Sequence, residues 1–320
     1  MRTMGQITSV RLLILTILFV TSLVLGQDPD PVVKEACTQF KRSVFEERVP
    51  FSHFFANAPI SWETIDSCDG SRPLIVGGSP ADPKEFPHIA RLGNRNATDN
   101  TTKWFCGGTL ISNRLVLTAA HCLYSENGEV NVVRLGELDF STDKDDADPE
   151  DFGVKAPIEH PDFNYQMLYN DIALLQLDRI VNFNFYKHPA CLPFKTGAAS
   201  KTFIAIGWGD KKFAGRPSEE LRKVQLNNFG NRCSTIDVDE LPNGYNSSTQ
   251  ICIGSSERKD TCSGDSGGPL LNYHEEYPCM YHVMGITSFG TGCGTPNVPS
   301  IYTLVHFYLD WIKKEMAKNN

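Results

Sequence analysis

Ser266 lies in Gly264-Asp265-Ser266-Gly267-Gly268-Pro269. Glycines on both sides let the backbone turn tightly and leave the hydroxyl accessible. They also let main-chain N–H groups approach a substrate carbonyl. A serine hydroxyl is a weak nucleophile by itself and needs an adjacent base. His121 offers one, in Thr118-Ala119-Ala120-His121-Cys122, just after an apolar run. Asp171, in Asn170-Asp171-Ile172-Ala173-Leu174-Leu175, opens another apolar run, where a carboxylate would fix the imidazole tautomer. Nucleophile, base, orienting group and oxyanion donors are what acyl transfer at an amide requires. Singly, each residue has a bland reading: a turn serine, a surface histidine, a capping aspartate. The weight rests on all three occurring together, in the order His, Asp, Ser.

Such residues need a rigid frame. From Ile75 onward, short β-rich runs (Leu115–Thr118, Val130–Leu135, Ile172–Leu177, Phe203–Ile206) alternate with Gly, Pro, Asn and Asp clusters. That pattern argues for an all-β barrel or sandwich. Leu304, Val305, Tyr308, Leu309, Ile312 and Met316 recur at helical spacing and predict one C-terminal amphipathic helix of about 12 residues. Residues 27–74 differ: Pro, charge and aromatics mix there with Cys37 and Cys68, without long apolar periodicity.

The chain has 320 residues, 41% hydrophobic, enough for one large core or two smaller ones. Its net charge of -8, with no basic stripe, argues against nucleic acid as a partner. Ten dispersed cysteines suggest an oxidising compartment. Arg2 and Arg11 flank a polar start, Leu12 to Leu25 is almost wholly apolar, and Val24 and Gly26 precede a cut before Gln27. Residues 1–26 therefore read as a signal peptide of a secreted, extracellular protein. The run is short for a membrane anchor. In a secreted chain, the N-x-S/T tripeptides at Asn96, Asn100 and Asn246 are candidate glycosylation sites.

Ile75-Val76-Gly77-Gly78, Thr118–Cys122, Asn170–Leu175 and Gly264–Pro269 resemble the four signature blocks of trypsin-like serine proteases, and the chain order His, Asp, Ser is theirs. The resemblance covers residues 75 to about 315. It implies two six-stranded antiparallel β-barrels with a C-terminal α-helix, preceded by a disulfide-tethered propeptide (27–74), with the peptidase domain at 75–320. His121, Asp171 and Ser266 become a catalytic triad, and the N–H groups of Gly264 and Ser266 an oxyanion hole. Cleavage between Leu74 and Ile75 would free an α-ammonium that pairs with Asp265, so the chain is expected to be a zymogen. Asp260 would sit at the base of the substrate pocket and select Arg or Lys. Ser288 and Gly290 would line that pocket, with Phe289 replacing the usual Trp between them. Ser300 departs from the family's glycine and would take up pocket volume.

The resemblance also implies disulfides Cys106–Cys122, Cys233–Cys252, Cys262–Cys293 and Cys68–Cys191. Cys37 and Cys279 remain and are expected to pair as a second tether. The tethered light chain, the block Arg134-Leu135-Gly136-Glu137-Leu138-Asp139-Phe140 and the insertion carrying Cys279 resemble the snake-type branch of arthropod clip-domain proteases. A clip domain needs six cysteines, so none is intact in this propeptide. The implied role is an extracellular proteolytic cascade of immunity or development. Its partners would be protein substrates, serpin-type inhibitors and an upstream protease of chymotrypsin- or elastase-like specificity, with no membrane partner. Rival readings are a digestive trypsin-like protease and a non-catalytic homologue serving as an adaptor. No cofactor is expected. In some relatives the loop after this block binds calcium, with Glu137 at the matching position. The acid-rich run Asp139–Asp151 has no EF-hand spacing.

Overall fold

The computed structural model describes residues 30–42, 46–48, 63–65 and 78–319, except 127, 212–214, 276, 278–279 and 291. The leader, Cys68, Leu74, Ile75 and Cys279 lie outside the described residues. In chain order the elements are helix α1 (Pro31–Arg42) and strands β1 (Glu46–Arg48), β2 (Glu63–Ile65), β3 (Ser79–Pro80), β4 (Ile89–Arg95), β5 (Thr102–Leu110) and β6 (Leu115–Thr118). Then come β7 (Tyr124–Ser125), β8 (Gly128–Glu129), β9 (Val132–Leu135), β10 (Glu150–Glu159), β11 (Ala173–Leu177), β12 (Thr202–Gly207) and β13 (Arg222–Asn228). The chain ends with β14 (Gln250–Gly254), β15 (Pro269–Tyr273), β16 (Tyr281–Gly290), β17 (Ser300–Leu304) and helix α2 (Leu309–Asn319).

Six strands close the first barrel in the order β10-β11-β6-β5-β4-β9. The second runs β12-β15-β16-β17-β14-β13 and closes through β12–β13, with β3 added outside β13. All of these pairs are antiparallel. β6 and β11, read as apolar runs, are buried along their whole length in the first barrel. Closure leaves no free sheet edge, so strands buried on both faces are tolerated. The expected C-terminal helix is present, but Leu304 ends β17 and Val305–Tyr308 form a 3-10 turn first.

Helix α1 is a difference from the sequence reading. Asp30 caps it, its Oδ1 accepting from Val32 N at 2.9 Å, and Pro31 takes the first helical position. Val33 and Cys37 are buried one turn apart and Phe40 packs beside them. This stripe is too short for a periodicity argument to register. It seats the helix on the domain, and Lys313 of α2 pairs with Asp30 at 2.5 Å.

Cys37 is bonded to Cys191. This corrects both expected tethers, Cys68–Cys191 and Cys37–Cys279. The reason is tertiary: α1 turns Cys37 inward onto the segment where Cys191 bridges to His282, with Cα atoms 5.1 Å apart. Cys37 precedes residue 74, so the bond would hold the N-terminal segment to the domain if the chain were cut there.

Candidate active site

The site lies between the barrels. His121 sits in a 3-10 turn (Ala120–Leu123) at the end of β6, and Asp171 just before β11. β6 and β11 are neighbours, Thr118 opposite Ala173, which brings the two residues together. His121 Nδ1 lies 2.8 Å from Asp171 Oδ2, and the His121 main-chain N donates to Asp171 Oδ1 at 3.0 Å. Asp171 is fully buried. Burial opposes its ionisation, but the adjacent imidazole and the hydrogen bonds from His121 and Ser288 outweigh it and hold the carboxyl below its usual range. For His121, burial disfavours the charged ring, yet Asp171 leaves its pKa above the ordinary 6.5.

Ser288 has a place that sequence reasoning missed. It was expected to line the substrate pocket, yet its hydroxyl donates to Asp171 Oδ2 at 2.5 Å. Thr303 donates to the Asp171 carbonyl at 2.8 Å. The second barrel therefore grips the carboxylate of the first, and only the family's Ser-x-Gly pattern could have signalled it.

Ser266 comes from the loop before β15. Gly107 N donates to Ser266 O at 2.7 Å. A Cβ on Gly267 would lie 2.2 Å from Thr118 Oγ1 and 3.0 Å from Cys122 Sγ. The serine turn is thus pressed against the segment that carries His121, and only glycine fits there. Among the described residues no hydrogen bond joins Ser266 Oγ to His121. Such bonds are often long before substrate arrives. The N–H groups of Gly264 and Ser266 donate to no acceptor among the described residues. Gly264, at φ +94°, occupies a conformation that favours glycine.

Asp260 is half-buried, and its desolvation pushes its pKa up to about 7 against the Thr261 N–H bond at 2.9 Å. Ser300, across from Gly290 on β17, approaches both Asp260 oxygens at 3.3 Å. A Cβ on Gly290 would meet Ser300 Oγ at 2.8 Å, so the two share one narrow space. Asp260 also lines a cavity of about 620 Å³ together with Gly78, Gly209, Asp210 and Asp265. Asp265 accepts from Gly209 N at 2.8 Å and Cys262 N at 2.9 Å. Burial raises its pKa, and among the described residues no cation lies within ion-pair distance. Arg222 holds the Gly78 carbonyl at the cavity rim.

Cys106–Cys122, Cys233–Cys252 and Cys262–Cys293 are bonded. Asn96, Asn100 and Asn246 are exposed. The residues around Glu137 do not fit calcium. Glu137 spends its oxygens on Arg134 and Leu138 N. Asp146 pairs with Lys84, Asp148 with Lys187, and Asp151 with Arg134 and Arg95. No three carboxylates converge among the described residues.

The family model described as Trypsin matches residues 75–312. Serine protease snk of Drosophila melanogaster is 41% identical over 260 residues, covering 79% of this chain and 59% of the relative. The chain thus spans less than two thirds of that protein. Venom protease of Bombus pensylvanicus is 36% identical over 244 residues, covering 74% of this chain and 96% of the relative. Phenoloxidase-activating factor 3 of Holotrichia diomphalia is 35% identical over 257 residues, covering 76% and 72%. With the closed pair of barrels and the His121–Asp171 pair facing a glycine-flanked serine, these matches establish that the chain belongs to the trypsin family and is a serine-type endopeptidase.

Proposed function

We propose that the chain is a secreted zymogen of an extracellular cascade, cut between Leu74 and Ile75, which then cleaves proteins after Arg or Lys. Ser266 Oγ attacks the scissile carbonyl while His121 Nε2 takes its proton. The N–H groups of Gly264 and Ser266 receive the oxyanion. His121 then passes the proton to the leaving amine, and water, deprotonated by the same ring, hydrolyses the acyl-serine. Asp171 holds the ring in one tautomer, and Ser288 holds Asp171.

The observation that carries the zymogen reading is the carboxylate of Asp265, in one cavity with Gly78 and, among the described residues, without a cation at ion-pair distance. The Ile75 amine, three residues before Gly78, would supply that charge. A buried pair loses about 3–5 kcal/mol when one partner is missing, enough for a switch. The carboxylate of Asp260 supports Arg or Lys before the cut bond through a charge-assisted hydrogen bond. Leu74 before the activation bond points to an activator with an apolar pocket. The name of phenoloxidase-activating factor 3 supports a cascade setting, in which serpin-type inhibitors would trap the acyl-enzyme.

The test is fluorophosphonate labelling of the elastase-treated protein, followed by a peptide-library cleavage profile. Labelling at Ser266 with cuts after Arg or Lys is expected. An unlabelled protein with intact Ile75 ends would favour an adaptor, and cuts after Phe or Leu would reject the pocket assignment.

A further inference from the structure

Arg91 lies on β4 between the fully buried Ala90 and Leu92, and is itself only 3% exposed. An arginine so deep in a barrel is costly unless its charge is answered. No carboxylate stands within ion-pair distance of it among the described residues. Burial draws its pKa down to about 10 and the fields of Asp265 and Asp210 oppose this, so the guanidinium is charged at neutral pH. Its hydrogen bond leaves the first barrel altogether: Nη1 donates to the Gly264 carbonyl at 2.6 Å. Nη2 lies 3.5 Å from where a Gly264 Cβ would stand.

That carbonyl belongs to the peptide between Gly264 and Asp265, which lies between the two free N–H groups. The N–H of the same peptide donates to Cys262 O at 2.9 Å. The plane is therefore clamped at both ends. Its rotation sets where the N–H groups on either side of it point. Gly264, with no Cβ and a positive φ, supplies no steric restraint of its own. We propose that Arg91 is a positioning residue for the oxyanion hole: its charged bond to the Gly264 carbonyl holds the peptide between the two oxyanion donors in the orientation that aims both into the cleft. The inference rests on the proposed roles of Gly264 and Ser266.

The test compares the activated parent with Arg91→Met, which keeps length and apolar bulk, and Arg91→Lys, which keeps charge without the fork. Two inhibitors separate the effects. Benzamidine needs only the Asp260 pocket; a peptide aldehyde also needs the oxyanion donors. Arg91→Met should lose about 10- to 100-fold in kcat, a fraction of what losing one donor outright costs, with KM within about threefold. Aldehyde affinity should fall by the same factor and benzamidine affinity should hold. Arg91→Lys should lose about 3- to 10-fold in the same selective way. If Arg91→Met does not fold, the lysine variant decides. Unchanged kcat and aldehyde affinity, or equal loss of both inhibitors, would overturn the proposal. A parent that fluorophosphonate does not label would instead remove the Ser266 and oxyanion reading beneath it.

Discussion

Ser300 Oγ stands 3.3 Å from each carboxylate oxygen of Asp260. In the proposed Arg/Lys pocket this hydroxyl would compete with the substrate for the carboxylate and for room. Ser300→Gly should raise kcat/KM on arginyl anilides by about 10-fold, with a smaller gain on the slimmer lysyl anilides. Steady-state kinetics on the paired substrates measures it; equal or reduced turnover on both would mean that Ser300 leaves the pocket open.

The raised pKa of Asp260, about 7, gives a pH dependence of binding. Below that pH the empty pocket is neutral and attracts a cation weakly; above it the carboxylate is charged. Benzamidine affinity should therefore fall as pH drops from 8 through about 7 to 6. Calorimetric titration should also show proton release on binding near pH 7. Affinity flat across this range would reject a neutral resting Asp260.

For His121 the sign runs the same way for a different reason. The base works only when neutral, and Asp171 raises its pKa above 6.5. The acid limb of kcat should consequently have its midpoint above 6.5, and Asp171→Asn should lower kcat by about 10⁴-fold through loss of the correct tautomer. Ser288→Ala removes one hydrogen bond to a charged group and should cost about 10-fold in kcat with little change in KM. Ser266→Ala should fold normally yet keep less than about one part in a thousand of the rate.

Purified zymogen should not activate itself. Leu74 offers Asp260 no charge, and Arg72, the nearest basic residue, is followed by Pro73, whose fixed φ and missing N–H suit such sites poorly. Incubation alone should leave the chain intact, elastase should produce Ile75 ends, and Leu74→Arg should make trypsin effective. N-terminal sequencing reads the result. Ile75 ends that appear without added protease, faster at higher zymogen concentration, would defeat the idea.

Because Glu137, Asp146, Asp148 and Asp151 are each met by one of the chain's own cations, chelation should leave activity unchanged. Thermal unfolding should shift by less than about 2 °C between EDTA and millimolar calcium. A larger rise with calcium would show that Arg134 yields Glu137 to the ion.

Local chemistry was legible from the residues alone. The glycines around Ser266 announce a tight turn, and the apolar runs at 115–118 and 173–177 appear as buried strands because their composition suits a barrel wall on both faces. The turn pattern and the family blocks together anticipated two closed barrels. What the sequence could not convey are contacts made by strand register and barrel closure. Ser288 reaches Asp171 across 117 positions, Arg91 reaches Gly264 across 173, and Cys37 takes Cys191 across 154. None of these partners is favoured by local propensity. Each is chosen by which faces the barrels and α1 bring together, since a buried hydroxyl, charge or thiol takes the partner that packing places within reach. The shared cavity of Asp260 and Asp265 has the same origin: two carboxylates five positions apart face one space because the loop between them turns around Cys262.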